Sequence, residues 1–219
     1  MASVKTLLVT LRIPSCALVV AVFFAAIASP QNRKPGSIRD IDFKNFSFSW
    51  DDETATPPSD LDTPWHWLDS LPVSRIRIIN GLHHFYSPEQ DKFEHSHAPL
   101  ISVDSVIYGD LNAGEGDEAV VHLNYSTGGT LNWDYVYVYK LAGGRAKPVG
   151  IMKCGSRGYG GLVRTAIEHG LLVLDFTDPE RRIGDCCSEG YIRARYRWRN
   201  GAFVEEGPRE RGDLDLKEH

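Results

Sequence analysis

From residue 73 onward, apolar and polar positions mostly alternate with period two, the pattern of strands that bury one face. Ile76 and Ile78 alternate with Arg75 and Arg77. Asn80-Gly81 is then a two-residue hairpin signal, with residues 82–86 as the returning strand. Residues 100–108 predict a further strand, a turn occupies 109–118, and 119–125 follow as strand. Segment 134–141 (DYVYVYKL) alternates valine with tyrosine, and Gly143-Gly144 turns the chain into 147–153. Residues 162–169 and 171–176 flank Gly170 as another hairpin, and 191–199 pairs with 202–206 through Asn200-Gly201. Upstream, Phe46, Phe48 and Trp50 alternate, which predicts an edge strand or a docked extended segment. Residues 51–64 are rich in Asp, Thr and Pro and read as loop, and 65–71 predict one or two helical turns. The glycine-rich stretch 155–161 reads as a wide turn.

This pattern predicts about eight to ten short strands with little room for helix. Consecutive hairpins imply antiparallel pairing, because a parallel sheet needs crossover helices. The fold class is therefore mainly β: an antiparallel sandwich, a curved meander or an open barrel.

The first 28 residues depart from the pattern. Lys5 and Arg12 are their only charges, a run of small and apolar residues fills 16–27, and Ala26 and Ala28 supply the small residues of a cleavage site. A retained anchor is the competing reading. Residues 13–28 number only 16 and include Pro14, whereas a spanning helix needs roughly 20. Cys16 precedes the apolar run rather than following it, which disfavours lipidation. The expected organisation is a signal peptide at 1–28, a linker at 29–37, a β-rich domain at 38–207 and a flexible C-terminal tail at 208–219.

Cleavage changes the composition. It leaves 22 basic residues against 29 acidic ones, a formal charge of −7 with neutral histidines. That balance argues against nucleic-acid partners and against contact with an anionic membrane surface. It also leaves three cysteines: Cys154, Cys186 and Cys187. An oxidising compartment favours disulfides over a metal site. Three cysteines cannot all pair within one chain, so either Cys186 joins the adjacent Cys187, or Cys154 joins one of them and a thiol is left free. Spacing alone does not decide between these. An adjacent bridge keeps open a thiol-redox role.

Three further features bear on chemistry. Residues 110–118 (DLNAGEGDE) form an acidic loop in which Asp110, Asn112 and Glu118 sit where calcium ligands fall, but Gly114 brings no oxygen and Glu115 replaces the glycine of the sharp turn. No cofactor is expected: this loop raises calcium, but a plain acidic turn is the favoured reading. His83-His84, His95, His97 and His122 offer imidazoles for zinc, yet no carboxylate or cysteine completes a recognised spacing. On segment 191–199, Arg193, Arg195, Arg197 and Arg199 share one face and Ile192, Ala194, Tyr196 and Trp198 the other. The arginine face is suited either to a carboxylate or polyanion ligand or to acidic residues on a neighbouring strand, and the acidic excess favours the second.

Together, IDFKNF (Ile41 to Phe46), YGDLN (Tyr108 to Asn112), DEAVV (Asp117 to Val121), Thr127-Gly128-Gly129, GGL (Gly160 to Leu162) and GDCC (Gly184 to Cys187) resemble a group of uncharacterised exported bacterial β-domains. In that group a strand leads into a D-x-N/T-G-D-G-x-x-E turn, and a Cys-Cys pair precedes a final hairpin. The Cys-Cys pair and the terminal Tyr196-x-Trp198 hairpin are also similar, more distantly, to the LppP/LprE lipoproteins. The resemblance spans residues 38–206. It implies no activity, and it carries the acidic turn over only to Asp110, Asn112 and Glu118. Cys154 lies outside its pattern.

No nucleophile elbow, zinc-protease motif, phosphate loop or dinucleotide fingerprint is present. The leading expectation is a non-catalytic exported domain, periplasmic or extracellular, that binds an envelope protein or ligand. The alternatives are a hydrolase of envelope polymers, with carboxylates assembled from distant strands, and the thiol-redox protein.

Overall fold

The computed structural model describes residues 35–49, 55–56, 75–85, 99–112, 116–126, 128, 132–157, 159–184 and 186–214. The segments expected to be signal peptide and helical turn, together with Trp50, His95, His97, Gly114 and Glu115, lie outside these. The described chain is almost entirely strand: β1 Ser47–Ser49, β2 Ala55–Thr56, β3 Arg75–Arg77, β4 Leu82–His84, β5 Leu100–Gly109, β6 Glu118–Ser126, β7 Asn132–Ala142, β8 Arg145–Lys153, β9 Leu162–Glu168, β10 Leu171–Thr177, β11 Gly190–Arg199, β12 Ala202–Glu205 and β13 Glu210–Asp213. Short 3₁₀ turns at Ile38–Asp40, Phe43–Asn45 and Pro179–Arg181 complete it. Among these residues no helix is long and apolar enough to cross a membrane.

The central sheet runs β2-β8-β7-β6-β5-β4 and is strongly curled into a half barrel. Its pairs are antiparallel except for the short β2, which lies parallel to β8. A second sheet runs β12-β11-β10-β9, with β13 also on β11. The fold is thus mainly β and antiparallel, a curved meander carrying a second sheet on one face.

Strands β6 and β7 explain the layering. Their register sets Ala119 against Tyr139, Val121 against Tyr137, Leu123 against Tyr135 and Tyr125 against Trp133. Small and branched side chains thereby fill the spaces between aromatic rings on one face. That face meets Ile38, Phe43, Phe48, Ile76 and Ile78 from the N-terminal segment and from the β1–β3 pair. The opposite face presents Val120, Val136 and Val138, which pack with Leu172, Leu174, Phe176 and Tyr196 of the second sheet. The valine–tyrosine alternation of β7 is a strand buried on both sides.

Two expectations change. Asn80 (φ 52°) and Gly81 (φ 85°) make the predicted tight turn, closed by a bridge between Ile79 and Leu82. The strands on either side do not pair with each other, however: β3 joins β1, while β4 joins β5. The C-terminal residues 210–213, expected in a flexible tail, instead form β13 and complete the edge of β11. Arg195 holds Glu210 at 2.9 Å, and Arg181 holds Asp213 at 2.7 Å. Charges that mark a tail in the sequence are the partners of an arginine in β11 and of another in the 3₁₀ turn Pro179–Arg181.

Candidate functional site

The layer between the two sheets is apolar in its middle and polar at both ends. One end opens into a cleft of about 650 Å³, within the usual size range of small-molecule sites. Its base is Val138 and Val149, and β11 and β12 supply Trp198 and Phe203 on one side. These rings meet edge to face, 4.8 Å between centroids. Gly150 makes room for them, since a Cβ there would fall 2.7 Å from Phe203. Arg197 also lines the cleft, and Glu206 holds its guanidinium through two hydrogen bonds. The same pairing draws the Glu206 carboxyl below its ordinary range and raises the guanidinium.

The other wall is the acidic turn. Asp110 Oδ1 accepts the Asn112 backbone N–H at 3.0 Å. Glu118 is buried, and its two oxygens accept the Leu111 N–H at 2.8 Å and the Asn112 side-chain amide at 2.7 Å. Asp110, Asn112 and Glu118 lie together in the turn, where hydrogen bonds close it and Glu118 acts as its staple. Asp117 faces away to Arg39, 2.6 Å from its Nε. With Nδ2 committed to Glu118, the buried Oδ1 of Asn112 has no hydrogen-bond partner among the described residues. Lys140 lines the cleft as well, and among the described residues it makes no hydrogen bond or ion pair.

At the opposite end of the layer lies a cluster that spacing did not reveal. Val103 pairs with Leu123 and Ser105 with His122, which leaves Asp104 as the extra residue of a bulge in β5. A bulge sets two consecutive residues against one on the partner strand, so Asp104 and Ser105 both stand opposite His122. On β7, Asp134 Oδ1 lies 2.8 Å from His122 Nε2 and accepts Asn124 Nδ2 at 2.9 Å, while Oδ2 accepts the Leu162 N–H at 2.8 Å. Three strands and the start of β9 converge on this carboxylate. The carboxylates that complete His122 come from neighbouring strands and are distant in sequence.

The cysteines resolve as one of the two alternatives. Cys186 and Cys187 are bonded to each other, in the loop before β11. Cys186 is exposed and Cys187 half-buried. Cys154 is free and fully buried, and burial, followed by the nearby Asp134 charge, pushes its thiol well above the ordinary range. The arginines of β11 find carboxylates: Asp175 for Arg193, Glu210 for Arg195, and Glu206 for Arg197 and Arg199. His83 Nδ1 lies 3.0 Å from the Arg77 carbonyl oxygen, and its ring packs on Phe85.

No protein-family model, curated protein or solved structure matches the chain.

Proposed function

We propose that the domain is a non-catalytic binding module of the cell envelope, and that the cleft beside the acidic turn receives its ligand. The observation that carries this reading is a pair of cleft groups that find no partner among the described residues: the buried Oδ1 of Asn112 and the ammonium of Lys140. A buried acceptor without a donor is costly, by about 1–3 kcal/mol. A ligand with a hydrogen-bond donor and an anionic group would satisfy both, and Trp198 would cover an apolar face of it. An acidic saccharide of the envelope has this chemistry. Export rests on the pattern of residues 1–28.

Hydrolysis is the weaker reading. The cleft holds two carboxylates, Asp110 and Glu118, but both Glu118 oxygens are occupied by N–H donors. That leaves no poised acid–base pair there. Thiol-redox chemistry is favoured only by the exposure of Cys186.

The test is a binding screen of the purified chain against neutral and carboxylated envelope glycans, with Lys140→Ala and Trp198→Ala beside the parent. Binding to a carboxylated glycan, weakened about tenfold or more by Lys140→Ala at unchanged melting temperature, is expected. Turnover in a hydrolase panel, or glycan binding indifferent to Lys140→Ala, overturns the reading.

A further inference from the structure

We infer that Asp104, His122 and Asp134 form a binding site for a divalent transition-metal ion of the zinc class. The site shares no residue with the cleft and does not depend on what the cleft binds.

Geometry is the first support. One ligand atom from each of the three side chains lies within 4.8 Å of the other two. Ligands about 2.0–2.2 Å from a zinc ion sit roughly 3–4 Å from one another, so a small adjustment completes the set. Asp104 is the exposed member; its Oδ1 accepts the Ser102 hydroxyl, and Oδ2 is left to make it. The other two are nearly buried and already fixed, at 13% and 8% side-chain exposure.

Charge is the second, independent support. Two carboxylates face one imidazole, and among the described residues no lysine or arginine pairs with either. Asp134 is almost fully buried, and a buried carboxylate without a cation is costly. Asp175, the buried carboxylate of β10, is gripped by a cation, Arg193. At Asp134 the position of the cation is left to His122 or to an ion.

Orientation is the third. Metal-binding side chains are usually held by outer hydrogen bonds that fix their direction. Asp134 has two that do not come from the cluster, the Asn124 amide and the Leu162 N–H. The β5 bulge turns Asp104 onto the same face as His122. Backbone irregularity and buried hydrogen bonds thus converge on one point.

The ligand set selects the class of ion. Calcium takes six to eight oxygens, which this site does not offer. An imidazole with two carboxylates suits zinc and its neighbours, and three protein ligands leave a fourth position for water or a ligand.

The experiment is calorimetric titration of the chelator-treated chain with zinc and, separately, with calcium. Visible absorption of a cobalt(II) adduct reports the coordination. The variants are Asp104→Asn and His122→Gln, with melting temperatures recorded in the absence of metal. One zinc site is expected, weakened at least about tenfold in both variants, with no matching response to calcium. Asp104→Asn removes an exposed group and leaves every hydrogen bond of Asp134 in place, so it decides the matter if His122→Gln melts early. Absence of zinc binding overturns the inference, as does binding unchanged in Asp104→Asn, which would place the ion elsewhere. So does an NMR titration showing His122 as an imidazolium that ignores added zinc, since the histidine would then be the cation.

Discussion

The guanidinium of Arg193 grips the carboxylate of Asp175 with two parallel hydrogen bonds, Nε to Oδ1 at 2.7 Å and Nη2 to Oδ2 at 2.8 Å. The strand register places the two residues directly opposite each other on β11 and β10. Asp175 is buried, and a bidentate pair fixes both position and orientation.

Removing one member should therefore cost more than the pair contributes. Arg193→Leu leaves a buried, uncompensated carboxylate, a defect worth about 3–5 kcal/mol in comparable pairs. Arg164, with Nη1 3.6 Å from Asp175, offsets part of this, so the low end of that range is expected. Chemical denaturation measures it. The double variant Arg193→Leu with Asp175→Leu should recover much of the loss, and a double variant as unstable as the single one would contradict the argument.

The same pair marks how far the sequence could be read. Period two split the faces of 191–199 correctly, because strand geometry alone dictates that split. It also pointed to acidic partners on a neighbouring strand. It could not identify Asp175, Glu206 and Glu210, since register between strands depends on bulges and turns remote from β11. For the same reason His122 was visible as an imidazole, while Asp104 and Asp134 were not visible as its neighbours. Asn80-Gly81 was legible as a turn through its positive-φ chemistry, but the sheet each flanking strand joins is set by tertiary packing. Residues 210–213 look like a tail because their composition is charged, and they become strand because the sheet supplies arginines for them.

Glu118 gives a second measurable consequence. Its side chain satisfies the Leu111 N–H and the Asn112 amide inside the turn. Glu118→Ala strands two donors beside the cleft. An unsatisfied buried donor costs about 1–3 kcal/mol, so a loss of that order in denaturant unfolding is expected. Glu118→Gln keeps one acceptor and should lose less. If Glu118→Ala unfolds at the parent's denaturant midpoint, the carboxylate is not the staple of the turn.

The cysteines predict a labelling pattern. The native chain should resist alkylation at Cys154, because the thiol is buried and burial disfavours the reactive thiolate. Denaturation without reductant should expose it. Cys186 and Cys187 should stay unlabelled until reductant is added, and peptide mapping should find them in one peptide lacking two hydrogens. A peptide pair joining Cys154 to either of them would contradict the structure.

Acid should loosen the arginine face before it disturbs either core. Hydrogen bonds from Arg197, Arg195 and Arg211 hold the carboxyls of Glu206, Glu210 and Glu180 below the ordinary value of 4.5. A carboxyl whose native pKa is lowered contributes stability above its unfolded pKa, and loses that contribution as pH falls through the lowered native value. The contribution is thus complete at neutral pH and disappears below the ordinary glutamate range. All three pairs are solvent-screened, so each is individually small. Their joint effect should appear as a falling melting temperature below about pH 4. A variant carrying Glu206→Gln, Glu210→Gln and Glu180→Gln should melt lower at neutral pH and show a flatter acid limb. If the variant's acid limb parallels the parent's, the pH dependence belongs to other carboxylates than these three.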